Sequence, residues 1–395
     1  MPPLQGVRVI AVEQYGAGPY GTMQLADLGA EVIKIENPKE GGDVARRVGP
    51  YLLGENDSHF FQSFNRNKRS LTLNLKRPGA ADVLHALVRR ADGLLDNLRG
   101  DLPERLGLTY AALKAVNPRI VCAHLSAYGR QGSRASWPGY DYLMQAEAGY
   151  LSLTGEPDGP PARMGLSIVD MMTGLFAAFG LVSAVMAARA TGEGRDVDVS
   201  LFSGALQNLS YLATWYLNEG HLQAREARSA HPSLTPSQLY RTKDGYIFLM
   251  CNKEKFWTAL CRIVGRQEWA ADPDFKSFKD RFAHRTRLAW LIDEALSERT
   301  TAEWLARFAG RVPAAPVNDI AQALESPFVR EQGRIWDVPH PARADFRMVA
   351  GPLSSPGEEP PRRPGPALGE HTDAILADCG FSAARIATLR AERVV

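Results

Sequence analysis

Three groups of residues in this 395-residue chain have types and spacings that can do chemistry. The first is Gly16-Ala17-Gly18-Pro19-Tyr20-Gly21, which follows the apolar run Val7–Val12 and precedes a second one, Val32, Ile33 and Ile35, closed by Glu36. Glycines at such a turn let the backbone approach a phosphate at a helix N-terminus, and Glu36 lies near the offset of about 20 residues at which a carboxylate binds a ribose. Taken alone, this strand, glycine turn, helix, strand and acid form a dinucleotide fingerprint, and a nicotinamide-dependent dehydrogenase is the first expectation. The second group is Asp170, between a predicted loop over 165–169 and a long uncharged segment of helical character. It is either a helix N-cap or a carboxylate kept ionised by backbone N–H groups and the helix dipole, able to act as a covalent nucleophile. Position does not choose between the two. The third group, Asn65-Arg66-Asn67-Lys68-Arg69, is a basic cluster that either meets phosphates or forms a solvated loop, and Arg99 and Arg105 carry the same two readings.

Other chemistries lack their patterns. The eight histidines show no HExxH or similar spacing and receive no catalytic role. There is no GxSxG elbow and no GxxxxGK[ST] loop. Cys122, Cys251, Cys261 and Cys379 are widely spaced, without a CxxC pair, so neither a metal site nor a disulfide framework is expected, and reduced thiols in a cytoplasm fit best. Forty-six basic and 44 acidic residues leave a net charge of +2 with no long basic run, so no nucleic-acid partner is expected. The strand-like start, without a cationic and apolar leader, predicts no export. Met171–Ala188 is uncharged over 18 residues, the minimum for a membrane span. Its glycines, Thr and Ser, flanked by Asp170 and Arg189 without an aromatic belt, predict instead a core or dimer-interface helix and no membrane.

These residues must be placed by a larger frame. Strand-like and helix-like segments alternate through residues 5–125: Val7–Val12, Thr22–Leu28, Val32–Ile35, Ala80–Ala91, Gly93–Asn97, Tyr110–Val116 and Ile120–Leu125. That rhythm predicts a doubly wound α/β sheet. A strand over Asp196–Val199 and a helix over Leu201–Leu217 follow. A basic, proline-containing connector near residue 225 opens a smaller region with a strand, turn and strand (Gln238–Arg241, Tyr246–Cys251) and helices over Lys255–Val264, Arg285–Leu296 and Thr301–Phe308. The expected division is 1–224, 225–325 as a small α+β domain, and a tail, 326–395, too short to fold alone, that returns to the large domain. Within the tail, Pro352–Pro366 predicts a surface linker, and Thr372–Ala377 and Ala383–Arg393 predict helices.

Seven segments carry a resemblance: VEQYGAGPYGTMQLADLGAEVIKIENP, NRNKRSLTLNLK, LLDNLRGDLPERLGL, NPRIVCAHLSAYGRQG, PGYDYLMQAEAGYLSLTG, VDMMTGLFAA and LGEHTDAIL. In this order they resemble segments of class III CoA-transferases, the CaiB/BaiF family, formyl-CoA transferase among them. The resemblance implies a Rossmann-like large domain, a smaller domain, and two chains interlocked like rings in a homodimer. It implies that Asp170 attacks an acyl-CoA, that CoA and a small carboxylic acid are the substrates, and that no cofactor is tightly bound. By the same resemblance, Gly16, Ala17, Leu71 to Asn74, Asn97 to Arg99 and Arg105 contact CoA, while Tyr140 and Asp141 line the site near the thioester. Asn37 stands where oxalate-specific relatives carry a CoA-contacting Arg, and Lys34, Lys39 or Arg66 are the candidates to replace it.

Three alternatives remain open at this stage. Racemases of 2-methylacyl-CoA share the fold and the aspartate but use a His and a Glu at the places held here by Tyr140 and Arg241. The dehydrogenase rests on the glycine fingerprint, and a non-catalytic CoA-binding protein is the third reading. Absence of any run of three glycines argues against oxalate as substrate. Arg241 and Lys243 either face an acceptor carboxylate, which would favour a dicarboxylate, or are surface charges.

Overall fold

The computed structural model describes residues 1–353 and 359–395. Its centre is a six-stranded sheet with β1 (Arg8–Val12), β2 (Glu31–Glu36), β3 (Arg69–Thr72), β4 (Gly93–Asp96), β5 (Val121–Ser126) and β6 (Arg195–Ser200) in the order β3-β2-β1-β4-β5-β6. Every pair is parallel, in registers such as Ile10 with Ile33 and Leu94. A parallel sheet is covered on both faces, which is why Val9–Val12 of β1 and Val121–Ala123 of β5 read as apolar runs without alternation. The chain order reverses between β1 and β4, so the crevice at the carboxyl ends of these two strands is where such sheets place a ligand.

Helices α1 (Ala17–Asp27), α2 (His59–Asn65), α3 (Ala80–Val88), α4 (Leu102–Arg105), α5 (Tyr110–Leu113), α6 (Asp141–Glu147) and α7 (Ile168–Thr191) connect and flank the strands. On one face, Ile10, Ile33 and Leu94 of the sheet pack with Val83, Leu84 and Leu87 of α3 and with Ile375, Leu376, Ile386 and Leu389 of the two C-terminal helices, Thr372–Asp378 and Ala383–Ala391. His124 of β5 is buried between Asp96 (2.6 Å) and Asp196 (3.1 Å), tying β4, β5 and β6 together. Burial alone would lower its pKa, but the two carboxylates raise it to about 9.

By contact density the chain forms two units: residues 1–148, 164–210 and 330–395, and residues 149–163 with 211–329. The second contains a three-stranded antiparallel sheet, β7 (Ser237–Arg241), β8 (Tyr246–Met250) and β9 (Ala314–Pro316). Its core holds Trp257, Leu260, Phe275, Ile292, Trp304 and Phe308. The helix Thr301–Phe308 starts where Thr300 and Glu303 form a capping box, a signal local enough to read from sequence.

Several elements differ from expectation. Helix α1 begins at Ala17, five residues before Thr22, so Gly18 and Gly21 lie inside a helix and only Gly16 belongs to the turn. Strand β3 and helix α2 are additional: α2 is capped by Ser58, whose Oγ accepts from Phe61 N–H, and β3 lies hidden behind the basic cluster. The single helix expected over Leu201–Leu217 is two, Leu201–Asn208 and Ser210–Glu219, broken where Ser210 adopts a φ of 50°. Within the proline-rich stretch 352–366, positions 354–358 lie outside the described residues. Its end is not a free linker, because Gln62 bonds both the N–H and the carbonyl of buried Gly365, and Arg46 donates to the Pro366 carbonyl.

Candidate active site

The crossing of α1 and α7 places Asp170. A Cβ on Gly21 would run into the carbonyl of Gly174, and a Cβ on Gly174 would run into the carbonyl of Ala17. The two backbones therefore touch, as only glycine permits. Residue 170 lies one turn before 174 on the same face of α7, and this contact brings its carboxylate over the N-terminus of α1. A Cβ on Gly16 would stand 2.9 Å from Asp170 Oδ2. No side chain caps α1 at Gly16 and its first turn holds no acid, so the N–H groups that open α1 are left uncapped beside the carboxylate. Two glycines of the fingerprint thus make room for the second helix and its aspartate, and Gly18 makes room for Asn97 and Glu13.

Asp170 is the third residue of α7 and not its N-cap, which is Ser167. Its N–H donates to Asp141 Oδ2 at 2.9 Å. Asp141 Oδ1 accepts from Gln145 Nε2 at 2.6 Å, and that buried amide also donates to the Leu166 carbonyl and accepts from the N–H of Met164. The acid at position 141 thus fixes both the start of α7 and the loop before it. Burial, and then the nearby charge of Asp141, push Asp170 up to about 7.

At the sheet's switch point Asn97 accepts from Gln14 N–H (2.9 Å) and donates to the Gln14 carbonyl (2.7 Å), clamping the β1–α1 turn to the end of β4. Arg99 and Arg105 are exposed and share Asp101, at 3.2 and 3.3 Å. Leu71 is fully buried in the core, backbone and side chain alike. Tyr140 and Asp141 lie at the start of α6, and Tyr140 is exposed. Asn37 and Asn74 line a cleft of about 730 Å³ together with Lys39, Lys76, Arg77 and Arg393.

Two sequence readings need correction. Glu36 is no ribose ligand: Arg46 grips it with two bonds of 2.6 and 2.8 Å, Ser70 Oγ and Asp43 N–H add two more, and it is 3% exposed. Burial would raise its pKa, but Arg46 holds it below the usual carboxylate value. The basic cluster is neither a phosphate site nor a solvated loop. Arg66 is buried against Asp27 at 2.6 Å, and Lys68 against Glu13 at 2.7 Å. Lys34 is buried beside Asp43 at 2.9 Å. Lys34 and Arg66 are thereby committed, and among the candidates to replace an Arg at position 37 only Lys39 faces the open cleft.

A part-buried carboxylate beside a helix N-terminus, at the crevice of a doubly wound sheet, is placed where such folds handle an acyl group or a nucleotide. A sequence profile of CoA-transferase family III matches residues 4–372, and the chain belongs to that family. It is 34% identical to a succinate–glutarate CoA-transferase of Agrobacterium fabrum over 95% of this chain and 96% of that protein. An acetyl-CoA:oxalate CoA-transferase of Acetobacter aceti is 35% identical, over 94% and 95% of the two chains. Among solved structures, a CAIB/BAIF family protein from Brucella suis matches with a TM-score of 0.82 and 31% identity, covering 95% of this chain and 99% of that one.

Proposed function

We propose that Asp170 carries CoA transfer from an acyl-CoA to a carboxylic acid through covalent intermediates. The observation that carries this reading is the position of its carboxylate, part-buried against Gly16 where α1 offers uncapped N–H groups. A carboxylate oxygen of Asp170 attacks the thioester carbonyl and CoA leaves as thiolate, giving a mixed anhydride. The thiolate then attacks the aspartyl carbonyl, releases the donor acid as its carboxylate, and leaves CoA on Asp170 as a thioester. An acceptor carboxylate attacks that thioester, expelling the thiolate, which finally attacks the acceptor's acyl carbonyl and frees Asp170. Each tetrahedral oxyanion would be met by the N–H groups at the start of α1. Asp141 orients the nucleophile through the Asp170 N–H.

CoA would run from this point along the carboxyl ends of β1, β4 and β3, past Ala17 and Asn97. Its phosphates suit the cleft of Asn37 and Asn74, where Lys39, Lys76, Arg77 and Arg393 supply cationic charge. Arg99 and Arg105 flank the path with donors that Asp101 does not exhaust. The names of the two relatives direct the substrate choice to short dicarboxylates, and the chain is taken to act as a homodimer in a cytoplasm. The test pairs succinyl-CoA with glutarate, then acetyl-CoA with oxalate, then a wider panel of thioesters and acids, with mass detection of the new thioester. New thioester is expected from the wild type, and Asp170→Ala is expected to lower its formation by at least about 10³-fold. An unchanged rate in that variant overturns the reading.

A further inference from the structure

At the residue before Gly16, backbone conformation and residue type disagree. Tyr15 has a φ of 68°, in the left-handed region that glycine enters freely and a bulky side chain does not. Such strain persists only where the surroundings impose it, and it collects at functional sites. Here the brace is Asp43: its Oδ1 accepts from Tyr15 N–H at 3.0 Å, and its Oδ2 lies 2.9 Å from Nζ of fully buried Lys34. The brace fixes where the ring goes. Tyr15 stands edge-on to Phe60, with centroids 5.4 Å apart, and to Tyr140, at 6.3 Å. One ring thus comes from the residue before Gly16, which lies beside the Asp170 carboxylate, and the other from the residue before Asp141, which holds the Asp170 N–H. Both rings keep apolar surface open, Tyr15 being 38% and Tyr140 61% exposed.

We infer that Tyr15, held in its strained conformation by Asp43, is a positioning residue that walls water away from the aspartyl anhydride. The inference rests on Asp170 being the nucleophile. Two reactions compete at the anhydride. Thiolate attack on the aspartyl carbonyl releases the donor carboxylate and keeps CoA on the enzyme. Water attack on the acyl carbonyl releases the same acid, returns the Asp170 carboxylate, and sends the remaining proton to the thiolate, so that CoA leaves as free thiol. A site that lets water in becomes a thioester hydrolase.

The experiment measures free CoA thiol against glutaryl-CoA formed from succinyl-CoA and glutarate, or against the product of whichever pair the wild type turns over. Tyr15→Gly and Tyr15→Ala are expected to raise the ratio of thiol to product by about tenfold or more, while Tyr15→Phe keeps the wild-type ratio. Glycine fits this backbone better than tyrosine, so Tyr15→Gly is expected to melt at or above the wild-type temperature. A leakier enzyme of unreduced stability is not what loss of a merely structural ring would give. An unchanged ratio in both Tyr15→Gly and Tyr15→Ala, with transfer still running, overturns the role of Tyr15 alone. Failure of every substrate pair in the wild type, or full transfer by Asp170→Ala, overturns the nucleophile and this inference with it.

Discussion

Asp170 is held in a state that costs the fold stability at neutral pH. Burial and the neighbouring Asp141 charge lift it to about 7, so the folded chain binds a proton there that the unfolded chain, near 3.8, has already released. Where the folded state binds more protons, stability falls as pH rises. The loss accumulates between about pH 4 and pH 7 and is complete above that window, amounting to at most about 4 kcal/mol. Asp170→Asn removes the titration. It is therefore expected to melt close to the wild type at pH 4 and above it at pH 8, in thermal scans across that range, and a difference independent of pH would show that the carboxylate is not penalised. Little of this residue's role is legible in the sequence. An aspartate at a helix start reads equally as a cap, and only the resemblance favoured a nucleophile. Its partner Asp141 lies 29 positions away, a tertiary pairing that no local periodicity encodes.

At the scale of elements, β1 and the long helix were legible because each is a largely continuous apolar run. The meaning of the glycines was not. Gly16, Gly18 and Gly21 match the spacing of a phosphate-binding turn, yet two of them are helical and serve close packing, a distinction that depends on which helix crosses α1. Strand β3 was obscured for a related reason: Arg66, Lys68 and Arg69 look solvated in sequence, while their carboxylate partners Asp27, Glu13 and Glu31 come from distant positions. The crossing makes a separable prediction. Gly174→Ala and Gly21→Ala force backbone against Cβ at the crossing and should each cost about 1–3 kcal/mol or more in denaturant unfolding. Gly16→Ala meets only the tip of a side chain, Asp170 Oδ2, and its φ of −110° suits alanine. It should leave stability within about 0.5 kcal/mol of the wild type yet reduce transfer by displacing the carboxylate. Equal effects of all three on stability would deny Gly16 its special place beside Asp170.

At the scale of the whole molecule, α7 carries two apolar stripes where a monomer needs one. The buried stripe is built mainly of small residues, including Thr173, Gly174, Ala177, Ala178, Ala184 and Ala188, which let it lie close on α1, β5 and β6. The other presents Leu175, Phe176, Phe179 and Met186, with Phe179 76% and Met186 69% exposed. The helix is long and apolar enough to cross a membrane by composition, but charged neighbours close its ends and one side is committed to the sheet. A patch of that kind marks an interface, and the homodimer proposed for this chain supplies an occupant of matching chemistry. The sequence showed the apolar helix but not which side was spare, because burial on one stripe depends on what packs there. Light scattering of the purified chain at micromolar concentration should give the mass of two 43.3 kDa copies. Phe179→Asp removes about 1.5–3 kcal/mol of apolar burial from each protomer and adds a charge to a desolvated surface, so it should shift the mass toward one copy. A wild-type mass of a single chain at that concentration would overturn the assignment of the outer stripe to a second copy.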